Sequence, residues 1–406
     1  MTPPVVGIVG AGPVGLTAAL ALTQLGVRVE IWDANDEPAT EWRASTFHAP
    51  SLSIADELGV FPEMRRRGIV CPIYQIWDGA TMRMIAEFDL ATLRSATRHP
   101  YRLQLEQYKY VDILLAKLEE YKVFVNWGKR AVSLTQDDDG VSITFDSGEL
   151  ARADWLIGAD GAHSIVRKTL KIAFSGVTYE HRYLVMSVQA DLRKFVEGLC
   201  DVNYIADPNA HALLLRIPDA WRAVFAIPTA VADDEARASA QARLQALMSS
   251  RFKFRPEALR VYAVHQRVAE AMRVGRVLLV GDAAHINSPM GGMGLNSGIH
   301  DAFDVSVQLK RVVDGSAQLD ELDDWAQRRH SAAIEGVQRI TDTTTRWMGE
   351  SDEVQRTAFA DEMRRIAADP QRSFAWMREA SMLESTERYG LPLVAFRQLR
   401  ESSNVR

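Results

Sequence analysis

The sequence predicts an α/β fold: an open, mostly parallel sheet flanked by helices, a second β-sheet inserted into it, and a C-terminal helical region. Three observations predict it. The chain opens as strand, glycine turn, helix and strand up to Asp33. Short apolar runs of strand length return far along the chain, at Trp155–Ala159 and Arg276–Val280, on either side of a stretch with alternating pattern. From Leu322 onward the pattern is mostly helical. Composition agrees. A chain of 406 residues suits two or three domains, or one bipartite domain. With 47% hydrophobic and 25% charged residues, global disorder is excluded. A net charge of −6 argues against a broad basic surface for nucleic acid. Cys71 and Cys200 lie far apart, so neither a disulfide framework nor a CxxC metal site is expected, and no metal is assigned.

From Met1 to Val27 there is no charged residue. An export signal would carry its positive charge ahead of the apolar run, whereas Arg28 follows it. Gly7, Gly10, Gly12, Pro13 and Gly15 also break the run in a way that suits a turn rather than a membrane helix. A cytoplasmic protein with no transmembrane segment is therefore expected. Val5–Val9 reads as a buried parallel strand. Residues 10–15, Gly-Ala-Gly-Pro-Val-Gly, form GxGxxG, Leu16–Leu25 reads as a helix closed by Gly26, and Val27–Trp32 as a second strand. This is a Rossmann-like dinucleotide-binding start. Gly10 permits the tight turn, Gly12 lets the backbone approach a pyrophosphate, and Gly15 lets helix and strand pack closely. Pro13 and Val14 open the helix, whose free N–H groups and dipole favour phosphate. Asp33, with Ala34 after it, sits at about the 20-residue spacing where a carboxylate meets a ribose.

Further along, Lys122–Gly128 reads as a strand, and Ala131–Gln136 and Val141–Phe145 as a hairpin around Asp137-Asp138-Asp139-Gly140. Tyr183–Pro228 alternates like a sheet, and Glu235–Met248 reads as one helix. Two segments carry motifs. Asp160-Gly161-Ala162-His163-Ser164 follows the strand at 155–159. Gly281-Asp282-Ala283-Ala284-His285 follows the strand at 276–280 and runs through Pro289-Met290-Gly291-Gly292-Met293-Gly294-Leu295-Asn296, where a long helix begins. Asp282 falls at a sheet's carboxyl edge, where ligands bind in open α/β sheets. The glycines at 291, 292 and 294 allow backbone to approach a flat ring. The helix N-terminus behind them can stabilise negative charge on it.

With GxGxxG, Asp160-Gly161 and Gly281-Asp282 in this order, the chain resembles the single-component, class A flavoprotein monooxygenases related to para-hydroxybenzoate hydroxylase. The resemblance spans about the first 330 residues. It implies bound FAD, NADH or NADPH as a transient reductant, and O2 as co-substrate. It implies hydroxylation of a small phenolic or N-heteroaromatic compound through a C4a-hydroperoxyflavin. It implies an FAD domain at residues 1–70, 99–175 and 268–335, a substrate domain at 71–98 and 176–267, and a helical region at 336–406. Asp282 is assigned to the FAD ribityl region, Leu295 and Asn296 to the flavin's negative pole, and Arg43 to the FAD phosphates. Gln107 is assigned to the flavin, Asp160 to structural support of the cofactor site, and Pro289 to a place near ring and substrate. Gly281, Gly292 and Gly294 complete the cofactor set. Met293 stands where the family often has Gln.

On the inserted sheet, Arg222 precedes the strand-ending Pro228 at the spacing of a family arginine that approaches the flavin. Tyr204 matches a tyrosine that contacts a phenolic oxygen. His211 is a candidate base, and Arg216 a candidate partner for a substrate carboxylate. A lone GxGxxG disfavours a reductase with two nucleotide domains. Ala223-Val224-Phe225-Ala226-Ile227-Pro228 lacks the tryptophans of the halogenase pattern WxWxIP. Alternatives are a same-fold enzyme acting on a quinone or isoprenoid and, further off, a non-catalytic nucleotide binder. A monomer or homodimer is expected.

Overall fold

A computed structural model describes residues 4–41 and 43–403. Val5–Val9 lies inside a six-stranded sheet, between Trp155–Gly158 and Arg28–Trp32, to which it is parallel. Val125–Asn126 extends one edge and Val277–Leu279 with Arg273–Val274 the other. Burial on both faces explains why these strands read as unbroken apolar runs. The crossover helix spans Pro13–Gln24, starting earlier than the sequence suggests because Pro13 is already set for the first helical position. Ten of its 12 residues are buried, which accounts for the uncharged run: the helix is core. It packs between the helices Gln107–Glu120 and Gly294–Val313. Among the described residues, no helix is long and apolar enough to cross a membrane.

The strand expected at Lys122–Gly128 shrinks to Val125–Asn126. Lys122 and Gly128 both adopt left-handed backbone, φ 58° and 67°, and cut the extended stretch at each end. The helix expected at Glu235–Met248 divides into Asp233–Ala238 and Ala240–Leu247. Between them the Ser239 hydroxyl donates to the Ala236 carbonyl at 2.7 Å and competes with the helical ladder.

The second large sheet has eight strands. Glu257–Ala269, Phe174–Val188, Ala220–Pro228, Ala212–Ile217 and Val202–Ala206 are antiparallel neighbours, and Ile73–Asp78 and Arg83–Asp89 complete one edge. Alternation separates its faces. Tyr183, Val185, Tyr204, Leu213, Val224 and Ala226 share one face with Met290. Leu184, Met186, Ala212, Leu214, Ala223 and Phe225 share the other, covered by Ala236, Ala240 and Leu244 of the two short helices.

A π-helical turn at Ala332–Gln338 leads into the helix Arg339–Met348. Gln338 fixes it by donating to the carbonyls of Arg267 and Ile286, at 2.9 and 3.2 Å. The helices Glu353–Ala368 and Pro370–Ala380 put Met363, Ile366 and Met377 into the apolar cluster around Tyr74 and Phe88. The helix Leu393–Ser403 returns to the first unit, with the Phe396 ring 4.8 Å from Phe303 and Arg397 paired with Glu57 at 2.6 Å. Residues 404–406, part of the stretch read as helical, lie outside the described residues.

Candidate active site

The glycine turn is shaped by two close approaches and one open face. Gly10 has φ +108°, and a Cβ there would lie 2.3 Å from the Ala159 carbonyl oxygen. A Cβ on Gly15 would lie 1.9 Å from the Gly10 oxygen. A Cβ on Gly12 would meet nothing within 4 Å, so here the backbone itself fronts the cleft. The helix behind carries no acidic residue in its first turn, leaving its positive end uncompensated. Val14 wedges against Gly281 and Gly298, whose added Cβ atoms would lie 3.1 and 2.6 Å from its methyls. Asp33 accepts from the Ala11 N–H at 2.7 Å with one oxygen and from Asn35 at 2.9 Å with the other. It thereby clamps the turn to the second strand, with Ala34 half-buried after it. An oxygen with one such bond can still accept from a hydroxyl.

The opposite wall begins at Gly281, φ +59°, whose N–H donates to Asp301 at 3.1 Å. Asp282 is accessible, yet its carboxyl is pushed up by burial, against the pull of His285 and Arg43. Tyr262 has the same double character: 39% accessible, with its phenol pushed up to about 12 by burial. Arg43 pairs with Glu41 at 3.2 Å, and the buried Arg222 donates to the Arg43 carbonyl. Gln107 starts its helix and donates its N–H to the Ala44 carbonyl at 2.9 Å.

Asp160 accepts from the N–H groups of Ile165 and Val166 at 2.7 and 3.1 Å. Arg167 joins this turn to the Gly281 segment by donating to the carbonyls of Ala162 and Ala283, at 2.9 and 2.7 Å. Beyond Pro289, Gly291 and Gly292 take positive φ, and a Cβ on Gly294 would lie 3.0 Å from Asn287 Oδ1. Leu295 is half-buried at the start of the helix Gly294–Val313. The buried Asn296 side chain ties the glycine loop to the 46–48 segment. Oδ1 accepts from the His48 N–H at 2.8 Å, and Nδ2 donates to the carbonyls of Thr46 and Gly292 at 2.9 and 2.7 Å.

Next to this loop, Tyr74, Arg102, Tyr204, Gly291, Trp347 and Trp376 line a cavity. Arg102 donates to the Tyr204 hydroxyl at 3.0 Å and stacks 4.3 Å above the Tyr74 ring. Trp376 donates to the Tyr74 hydroxyl at 2.7 Å.

A family model described as the FAD binding domain matches residues 3–340. The chain belongs to this FAD-binding family. Within it, the chain is 32% identical over 358 residues to a para-nitrophenol 4-monooxygenase of Pseudomonas sp. (strain WBC-3), covering 86% of this chain and 88% of the relative. It is 32% identical over 337 residues to the 6-hydroxy-3-succinoylpyridine 3-monooxygenase of Pseudomonas putida (strain DSM 28022 / S16), covering 81% and 85%. The crystal structure of a p-nitrophenol 4-monooxygenase from Pseudomonas putida DLL-E4 superposes with a TM-score of 0.88 at 29% identity, covering 93% and 98%. The chain is an FAD-dependent monooxygenase, and NAD(P)H and O2 are the co-substrates typical of the family.

The residues fit FAD. The Gly12 face and the helix dipole suit a pyrophosphate, Asp33 a ribose, and Asp282 a polyol chain. A second helix N-terminus with no acidic first turn stands behind Gly292 and Gly294. Two candidates from the sequence fall elsewhere. Arg216 shares the parity of Leu214, not of Leu213, so it lies on the sheet face turned away from Tyr204, and it pairs with Asp201 at 3.4 Å. His211 is buried against the Tyr183 hydroxyl, Nε2 to oxygen 3.0 Å, and lines a separate groove with His181 and Asp342. Burial pushes its imidazole down to about 3, so it is neutral near pH 7. It is therefore not in the Tyr204 cavity.

Sequence reading missed Arg102, Tyr74, Trp347 and Trp376. Two tryptophans, Trp347 and Trp376, in otherwise polar C-terminal helices were the available signal. Asn296→Ala removes three hydrogen bonds between the 46–48 segment and the glycine loop. At about 1 kcal/mol each, we expect about 2–3 kcal/mol less stability and weaker FAD binding, measured by urea unfolding and flavin titration.

Proposed function

We propose that this monooxygenase hydroxylates a small phenol or hydroxylated N-heteroarene. The observation that carries this is the aromatic cavity of Tyr74, Tyr204, Trp347 and Trp376 directly beside Gly291, a shape and polarity suited to one aromatic ring with a polar substituent. The named relatives that act on a nitrophenol and a hydroxypyridine support it. FAD, when bound, supplies the redox and oxygen chemistry. The chain's own residues do the rest. Gly291 and Met293 bound the ring from the loop side, with Pro289 just before them, and Tyr204 presents its hydroxyl from the sheet. Arg222 and Arg43 close the outer end of the cofactor cleft, and the helices 339–348 and 370–380 exclude water. Membership of one eight-stranded sheet supports assigning 71–98 and 176–267 to the substrate domain.

The test is a panel of phenols and hydroxypyridines, scored both for stimulated NAD(P)H oxidation and for hydroxylated product. The expected outcome is product nearly equal to NAD(P)H consumed for at least one compound. Oxidation that yields only peroxide with every compound would sink the reading.

A further inference from the structure

The aromatic cavity meets solvent on one side only of its lining. The residues that the sheets and the glycine loop contribute, Tyr74, Ile76, Arg102, Tyr204, Gly291 and Met293, are all buried. The rest of the lining comes from two C-terminal helices. Ile340, Thr344 and Trp347 stand on the helix 339–348, and Trp376, Glu379 and Ala380 at the end of the helix 370–380, and each of them is partly exposed. Both helices are anchored to the body. Thr345 is hydrogen bonded to the Ser288 hydroxyl at 2.7 Å, and Gln338, just before the first helix, holds the carbonyls of Arg267 and Ile286. Trp376 ties the second helix to Tyr74. Among the described residues, the one hydrogen-bonded contact that joins the two helices is the ion pair of Arg339 with Glu379, at 2.5 Å.

Glu379 lines the cavity, so its carboxylate reaches across the opening to meet Arg339. The two side chains are 60% and 30% exposed. An ion pair in contact with water is weakly held, and exposed side chains change rotamer quickly. The pair can therefore part and re-form while both helices stay in place. We propose that the substrate enters and leaves between the helices 339–348 and 370–380, and that Arg339 and Glu379 gate this entrance by closing across it. The inference rests on the reading of the cavity as the substrate site and deepens it: the C-terminal helices set how fast a ring is exchanged. The pair sits at the rim and re-forms behind the ligand. Breaking it speeds entry and exit alike, and affinity stays the same.

The test follows binding of 4-nitrophenol to the oxidised, FAD-loaded enzyme by stopped flow without NAD(P)H, on the acid side of the probe's ionisation so that it is neutral. In Glu379→Gln and in Arg339→Gln, association and dissociation rate constants are both expected to rise about two- to fivefold, with Kd unchanged within about twofold. The charge-swapped double variant, Arg339→Glu with Glu379→Arg, is expected to return both rates toward wild type. Added salt is expected to speed exchange in wild type by screening the pair, and to leave Glu379→Gln unaffected. Ala380→Trp places a bulky ring on the partly exposed rim and is expected to slow both rates at least about tenfold.

Unchanged rates in both single variants overturn the gate, and so does a double variant that exchanges as fast as the single ones. A Kd raised without faster association makes the pair part of the binding site and overturns it too. Wild-type exchange in Ala380→Trp, with its unfolding midpoint also at the wild-type value, overturns the entrance. Failure of the cavity reading looks different: wild type then shows no saturable binding of 4-nitrophenol or of any other phenol or hydroxypyridine in the panel, and this inference falls with it.

Discussion

Gly15→Ala is expected to yield protein that does not retain FAD. The new Cβ would lie 1.9 Å from the Gly10 oxygen and 3.2 Å from the Ala159 Cβ, so the helix must move off the strand. Overpacking of this kind costs about 1–3 kcal/mol or more. Moving the helix also moves the N–H groups that face the phosphates, so FAD affinity should fall at least about 100-fold. Gly12→Ala separates the two effects. Its Cβ has no protein atom within 4 Å, so the FAD-free unfolding midpoint should hold while FAD affinity falls about tenfold or more. The measurements are urea unfolding of the stripped proteins and flavin titration of each. If Gly12→Ala binds FAD like wild type, the pyrophosphate does not lie against this turn.

Asp301→Ala is expected to be among the most destabilising single substitutions. Asp301, with no exposed surface, holds Arg329 Nε at 2.7 Å, His285 Nε2 at 2.7 Å and the Gly281 N–H at 3.1 Å. Arg329 is itself only 1% exposed. Removing the carboxylate leaves that buried charge alone, a loss of about 3–5 kcal/mol. The same hub fixes the start of the Gly281-Asp282 turn, so FAD binding should weaken with it. The pH dependence has a definite direction. Burial alone would raise this carboxyl, but His285 and Arg329 outweigh burial and hold it below the usual range. Its contribution is complete above an unfolded-state value of about 4 and fades as pH falls through the lower native value. The stability gap between wild type and Asp301→Asn should therefore narrow on acidification. A gap independent of pH would mean that the ionised carboxylate is not what stabilises the hub.

Much of the fold was legible because its signals are local. A glycine that must take φ +108°, a proline at a first helical turn and a run of buried strand residues each announce themselves within a few positions. Even the errors were local. Left-handed backbone at Lys122 cut a strand short, and a serine hydroxyl at 239 divided a helix.

The cavity was less legible. Arg216 and Arg222 lie on the same hairpin, but strand parity and the return of the chain send them to opposite sides. His211 looked like a base by type, yet its neighbours bury it and hold it neutral. Arg102 resembled any strand arginine. Its place in the cavity depends on Tyr204, about 100 residues later, whose hydroxyl it meets at 3.0 Å.

The sequence by itself determined the shape of the glycine turn that suits a nucleotide, because the backbone conformations there are set by the residues that adopt them. Only the tertiary structure decided which side chains line the cavity. Burial and charge compensation depend on groups from strands at 74, 102 and 204 and from helices beyond 339, and no local pattern records who the neighbours are.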